Sequence, residues 1–172
     1  MVRVNQRNKT SEDLSRREPL PTLRRTFSSY IDQDLEILLP YLQRVCYPAG
    51  HVLWRQNDPA DGLYIIETGV LRAAYVFNSW GSGFGTEGSV DAYDAPRIEE
   101  SMVSGTLAGE LTALSNMPRN ATMLVERDVV MWKLSRESLR RMQDEQPMFA
   151  RTFVEAVLKG ECFWFCHLWG WR

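Results

Sequence analysis

Residues 106–122 read TLAGELTALSNMPRNAT, a glycine, a short helix-forming run and a Pro-Arg-Asn-Ala stretch set in order between β-rich segments. Gly109 lets backbone approach a bound group closely. The amides that open a helix at Glu110 and Leu111 point outward without intrahelical partners, where the helix dipole favours an anion. Arg119 supplies the countercharge through a planar guanidinium that can hold two phosphate oxygens at once, which a lysine ammonium cannot match. Replacing it should then weaken binding more than it disturbs the fold. Glu110 beside such an anion would be repelled unless it accepted hydrogen bonds from neutral donors such as a ribose hydroxyl. These residue types in this order predict a sugar-phosphate site.

Short β-rich runs surround that segment, at 51–56, 63–66, 70–77, 101–104, 122–126 and 129–134, each bounded by Gly, Asp, Asn or Glu-Thr-Gly turn chemistry. Many short antiparallel strands punctuated in this way predict a mainly β chain, a jelly-roll or related barrel with flanking helices. Ahead of it, Tyr30, Ile31, Leu35, Leu38, Leu39 and Leu42 recur at helical spacing over 27–42, which predicts one or two short helices with Asp32 available as an N-cap. Behind it, Ser135 caps a helix through Gln143. Pro147 opens another whose Met148, Phe149, Phe153, Ala156 and Val157 face inward, and Gly160 ends it. Residues 78–100 read as a long loop because Gly81, Gly83, Gly85 and Gly88 stand among scattered acidic side chains. The chain thus divides into a disordered basic leader at 1–26, a ligand-binding domain at 27–160 and an aromatic tail at 161–172.

A chain of 172 residues with net charge −2 makes one domain with a real core and has no general attraction to nucleic acid or membrane. No window approaches the ~18 apolar residues of a membrane span, and the N-terminus is polar, so the expected location is cytoplasmic. The three cysteines, Cys46, Cys162 and Cys166, do not form a secreted disulfide pattern. His51 and His167 are the only histidines, too few and too separated for a facial metal triad, and no Ser-His-Asp grouping is visible, so no catalytic residue, metal or cofactor is expected. Cys162, Cys166 and His167 have metal-compatible spacing without an evident fourth ligand. In the leader, Thr26, Ser28 or Ser29 beside Arg24-Arg25 could accept a phosphate that recruits those cations; the plainer reading is a solvated linker. The tail, ECFWFCHLWGWR, reads first as an atypical chain end. A cap on a ligand's base, a partner-binding segment or a membrane-interface segment are its functional alternatives.

With these residues in place, the chain resembles the cyclic nucleotide-binding domain superfamily, whose phosphate-binding cassette commonly runs Phe-Gly-Glu-Leu-Ala-Leu and, a few residues on, Pro-Arg-Ala-Ala. The corresponding residues are Ala108, Gly109, Glu110, Leu111, Ala113 and Leu114, then Pro118, Arg119, Asn120 and Ala121. A second block resembles the family's opening barrel strands: Pro48-Ala-Gly50, Gln56-Asn-Asp58, Asp61-Gly-Leu-Tyr64-Ile-Ile and Gly69-Val-Leu. The resemblance implies that Arg119 binds exocyclic phosphate oxygens and Glu110 the ribose 2′-hydroxyl, while the amides of Gly109, Leu111, Asn120 and Ala121 complete the cradle. The ligand would be cyclic AMP or cyclic GMP, with base choice open at Asn120. Ala108 replaces the usual Phe, and Asn57 stands where Gly is usual, a mild change because Asn tolerates left-handed backbone. Ordering of the cassette would fold the C-terminal helix over the base, with Phe153, Val157 or Trp164 as candidate lid residues.

A narrower resemblance, over YPAGHVLWRQNDPADGLYIIETGVLRAAY and GTLAGELTALSNMPRNATMLVERDVVMWKLS, is to the C-terminal region of fungal sulfate permease-type transporters. It implies a cytosolic sensing or bracing domain whose partners are the membrane domains of a parent transporter. A DNA-reading helix-turn-helix would not fit in the dozen residues after Gly160. The alternative to a nucleotide sensor is a degenerate domain of the same fold that binds no nucleotide and acts as a protein-interaction module. Ala108 and the tail favour that alternative. Glu110, Arg119 and Ala121 oppose it, since a buried Arg and Glu without a ligand or mutual pairing cost stability.

Overall fold

Alternating side chains give the sheet two buried faces. In the run Leu63-Tyr-Ile-Ile66, Leu63 and Ile65 pack toward the helices, whereas Tyr64 and Ile66 pack into the second core with Leu71, Val125 and Met131. That is why this strand reads as continuous apolar sequence. The computed structural model describes residues 19–30, 32–76 and 97–168, the side chains of residues 76, 97 and 160–168 excepted. Its elements run α1 (Leu20–Thr26), α2 (Asp32–Leu38), a 3-10 turn (Leu39–Tyr41), β1 (Leu42–Tyr47), β2 (Val52–Trp54), β3 (Gly62–Val76), β4 (Arg97–Val103), β5 (Leu107–Ala108), α3 (Glu110–Ser115), β6 (Thr122–Ser135), α4 (Arg136–Glu145) and α5 (Pro147–Leu168). The sheet is antiparallel with order β1-β6-β3-β4; β2 also pairs with β6, and β5 with β3. The expected antiparallel β core with flanking helices is what forms.

Two predicted strand pairs are single strands. β3 runs through Glu67-Thr-Gly69, and β6 runs through Arg127-Asp128, with register irregularities where Val70 meets Arg127. Gly69 has φ +96°, and a Cβ there would overlap the carbonyl of Asp128, so the glycine serves a bulge rather than a turn. Residues 97–100, expected in the long loop, begin β4, pairing Arg97 through Glu100 with Val76 through Ala73. Their charges suit a strand with one open side, and Glu99 lies 3.5 Å from Arg72. The rest of that expected loop, 77–96, lies outside the described residues.

The helices correct the domain boundaries. Residues 20–26, assigned to a disordered leader, form α1: Leu20, Leu23 and Phe27 are buried at i, i+3 and i+7, and Phe27 packs on Phe153 with ring centroids 5.4 Å apart. The arginines of the same segment mask that stripe in sequence. Arg24 instead pairs with Asp32 through Nε (2.7 Å) and Nη2 (2.6 Å), so Asp32 is an ion-pair partner in the first turn of α2 rather than its N-cap. Residues 1–18 lie outside the described residues. The stretch 27–42, expected as one or two short helices, holds α2, which stops at Leu38 because Pro40 cannot supply the next backbone donor, and the 3-10 turn; Leu42 already opens β1 opposite Leu134.

Ser135 caps α4 as expected, its hydroxyl accepting from Ser138 N at 3.0 Å. On α5 the inward face is Phe149, Ala150, Phe153 and Val157, while Met148 is 76% exposed, against expectation: it sits in the first turn, on the far side of the stripe. Gly160 does not end α5, which continues to Leu168. A helical glycine costs about 1 kcal/mol relative to alanine, which weakens a helix without stopping it. The side chains of the aromatic tail, Cys162, Cys166, His167 and Trp164 included, lie outside the described residues. Among the described residues no helix is long and apolar enough to cross a membrane.

Candidate cassette site

The two sequence blocks meet through backbone. Asn57 adopts φ +74°, the left-handed conformation its substitution for glycine predicts, and its N–H donates to Arg119 O at 2.8 Å; Arg119 N returns a 2.8 Å bond to Asp58 O. The turn after β2 thus clamps the residue that carries the cassette's charge. Gln56 N donates to Thr122 Oγ1 at 3.0 Å and extends the clamp into β6.

Gly109 precedes α3 with φ +73°, and no side chain caps the helix start. A Cβ on Gly109 would overlap Arg119 Nη1 and lie 3.1 Å from Trp54 Cη2. The backbone conformation strains most residues with a Cβ, and any Cβ here must displace the Arg119 guanidinium. Asn116, also left-handed, closes α3, and its Oδ1 accepts from Arg136 Nη2 on α4.

Arg119 is 1% exposed, although spacing alone made it a ligand contact separable from the fold. Its Nη1 donates to Gly109 O (2.9 Å) and Thr112 Oγ1 (3.2 Å), and its Nη2 to Asp61 Oδ1 (2.7 Å) and Gly62 O (2.7 Å). Its Cζ lies 3.9 Å from the centroid of the Trp54 ring. Nε is buried without a hydrogen-bond partner among the described residues. The guanidinium is a structural element of the core as well as a candidate ligand group, so its loss must affect stability, contrary to the expectation from sequence. Even without a ligand both Nη groups of Arg119 are paired, with Asp61 and Gly62 at the start of β3 and with Gly109 and Thr112 of the cassette, so the cost expected of an unliganded arginine is confined to Nε.

Asp61 anchors a small ionic cluster. Besides Arg119, it accepts from Lys133 Nζ (2.5 Å) and Tyr64 Oη (2.8 Å), while about half of its side chain remains exposed. Burial raises its carboxyl, but hydrogen bonds from Lys133 and Tyr64, the Lys133 charge and the Arg119 bond outweigh burial and hold it below the usual carboxylate range. Burial, and next the negative charge of Asp61, push the Tyr64 hydroxyl well above its ordinary value.

Of the residues chosen from sequence, Gly109 and Arg119 are in direct contact, Glu110 and Ala121 are buried beside them, and Leu111 and Asn120 are exposed. Sequence reasoning missed Trp54, whose indole Nε1 donates to Ala121 O at 3.1 Å, and Thr112, whose hydroxyl reaches Arg119. It also gave Asp61 no role beyond marking a strand start. A tryptophan inside a β run carries no local signal that a cation will stack on it. Among the described residues no group of His, Cys, Asp and Glu could hold a metal ion.

The model of one family, described as the cyclic nucleotide-binding domain, matches residues 44–146, which contain this whole arrangement. The cAMP-dependent protein kinase regulatory subunit of Dictyostelium discoideum is 26% identical over 151 residues, covering 88% of this chain and 42% of its own length. The chain thus spans less than half the length of that relative. A cyclic nucleotide-binding domain from Methylobacillus flagellatus shares the fold at a TM-score of 0.70 and 20% identity, over 90% of this chain and 80% of the other. The regulatory domain of Toxoplasma gondii PKA, crystallised with cAMP, matches at a TM-score of 0.62 and 18% identity, over 84% of this chain and 50% of its own.

Proposed function

Because the chain belongs to the cyclic nucleotide-binding domain family, we propose that it binds cyclic AMP or cyclic GMP at residues 109–121 and passes the change to a partner or to the rest of a longer protein. The observation that carries this reading is the buried guanidinium of Arg119 beneath Gly109, with an Nε–H that no group among the described residues accepts. A buried donor without a partner costs about 1–3 kcal/mol, which an incoming phosphate oxygen would recover. Glu110 takes the ribose 2′-hydroxyl, Arg119 the exocyclic phosphate, and the amides of Gly109, Leu111, Asn120 and Ala121 the remaining phosphate oxygens. The kinase regulatory subunit among the relatives and the cAMP-bound Toxoplasma neighbour support that chemistry.

The route outward is short. Arg136 at the start of α4 donates its backbone N–H to Asp61 O (3.1 Å) and its side chain to Asn116, so it touches both the carboxylate segment behind Arg119 and the end of the cassette helix. Movement of α3 or of Arg119 pulls on α4, and through it on α5, which biases a hinge rather than a diffuse relaxation. Attachment to a sulfate permease-type transporter in the cytosol rests on the sequence resemblance alone.

Calorimetric titration with cyclic AMP and cyclic GMP tests the reading, supported by thermal melts. Ligand at 100-fold its Kd adds about 2.7 kcal/mol of stability. A second reading, a domain that keeps the fold but binds no nucleotide, is favoured by one observation: both Nη groups of Arg119 are already satisfied within the chain. No heat and no melting shift with either nucleotide at millimolar concentration would select it.

A further inference from the structure

We infer that Trp54 is a positioning residue of the nucleotide site: its indole fixes the plane of the Arg119 guanidinium and ties both ends of the cassette to one side chain. The inference rests on the nucleotide-binding reading above. Three contacts carry it. The ring face lies 3.9 Å from Arg119 Cζ, Nε1 donates to Ala121 O at 3.1 Å, and Cη2 fills the space beneath Gly109 so closely that a Cβ there would sit 3.1 Å from it. Trp54 is itself 7% exposed, and Tyr64 packs against it with ring centroids 5.4 Å apart, so the indole cannot easily turn.

A planar cation held on an aromatic face in a desolvated site gains attraction and loses rotational freedom. The edges of the same guanidinium are set by acceptors on two different segments, Gly109 and Thr112 on one side and Asp61 and Gly62 on the other. Acceptors at the edges leave the plane able to tip; the indole removes that tilt and leaves the buried Nε–H at a fixed angle for an added oxygen. An aliphatic residue would fill the volume without supplying either the π face or the N–H that holds Ala121 O. The chemistry that profits is an anion recognised by guanidinium geometry, here the phosphate of the cyclic nucleotide.

The test compares the unmodified chain with Trp54→Phe, which keeps a π face, and Trp54→Leu, which does not, by calorimetric titration with cyclic AMP and cyclic GMP and by melting temperature without ligand. Trp54→Leu should weaken nucleotide binding about tenfold, the cost of ordering one long side chain on binding. Trp54→Phe should recover most of that loss even where the two variants melt at the same temperature. A second readout is the tryptophan emission change on adding nucleotide, which should be smaller in Trp54→Phe than in the unmodified chain, the other five tryptophans being common to both. Equal affinity of the Leu variant and the unmodified chain would overturn the positioning role while leaving nucleotide binding intact, and equal losses in the Leu and Phe variants would overturn the part assigned to the ring face. Absence of binding by the unmodified chain would instead remove the reading above, and this inference with it.

Discussion

Replacing Arg119 with alanine should cost the fold as well as the ligand, and the structure says which losses count. Gly109 O would keep the Ala113 N–H at 3.1 Å and the Thr112 hydroxyl at 3.2 Å, and Asp61 would keep Lys133, Tyr64 and water. The carbonyl of Gly62 would lose its 2.7 Å donor in a buried place, a penalty of about 1–3 kcal/mol. Loss of a desolvated cation from the face of Trp54 adds about 2 kcal/mol. Removing a charge that is 1% exposed relieves desolvation and offsets part of both, so the net destabilisation should be about 2–4 kcal/mol. Urea unfolding of the ligand-free variant measures that number directly. Titration with nucleotide should show a further loss of about 2–5 kcal/mol in binding, with Arg119→Lys restoring only part of it. Ligand-free stability within about 0.5 kcal/mol of the unmodified chain would refute the view that this arginine helps to hold the core.

Gly109→Ala should destabilise by at least 1–2 kcal/mol, roughly the cost of a left-handed backbone for a residue with a Cβ, and should also abolish nucleotide binding because that Cβ displaces Arg119; calorimetry and thermal melts read the two effects separately. Asp61 is held below its ordinary carboxyl range, so its contribution is fully present above about pH 4 and is lost as pH falls through its lower folded-state value. The stability gap between the unmodified chain and Asp61→Asn should accordingly be constant from pH 7 to 5 and shrink at more acidic pH, and a gap that grew on acidification would contradict the assignment. On α5, Phe153→Ala should cost about 3–5 kcal/mol in chemical denaturation, whereas Met148→Ala, at a position 76% exposed, should change stability by less than about 0.5 kcal/mol.

Local rules were enough where one residue type has one physical use. Gly109 before a short helix, an arginine ten residues on, Asn57 in a left-handed turn, Ser135 as a cap and Pro147 in a first turn each follow from backbone sterics or hydrogen-bond inventory, and each is where the sequence places it. The antiparallel β core was legible for the same reason: period-two burial and turn residues are written along the chain. Tertiary structure decided what depends on residues far apart in sequence. It joined the split strands, because a bulge and a turn use the same glycine and only pairing across β3 and β6 tells them apart. It folded 20–26 onto α5, because the partner of Phe27 is Phe153, 126 positions away. It also turned Arg119 from a ligand contact separable from the fold into a hub of the core, since Trp54, Asp61, Gly62 and Thr112 come from three segments whose meeting no local pattern encodes. Local chemistry is carried by neighbours along the chain, whereas the desolvation that gives a charge its energetic weight is set by everything folded around it.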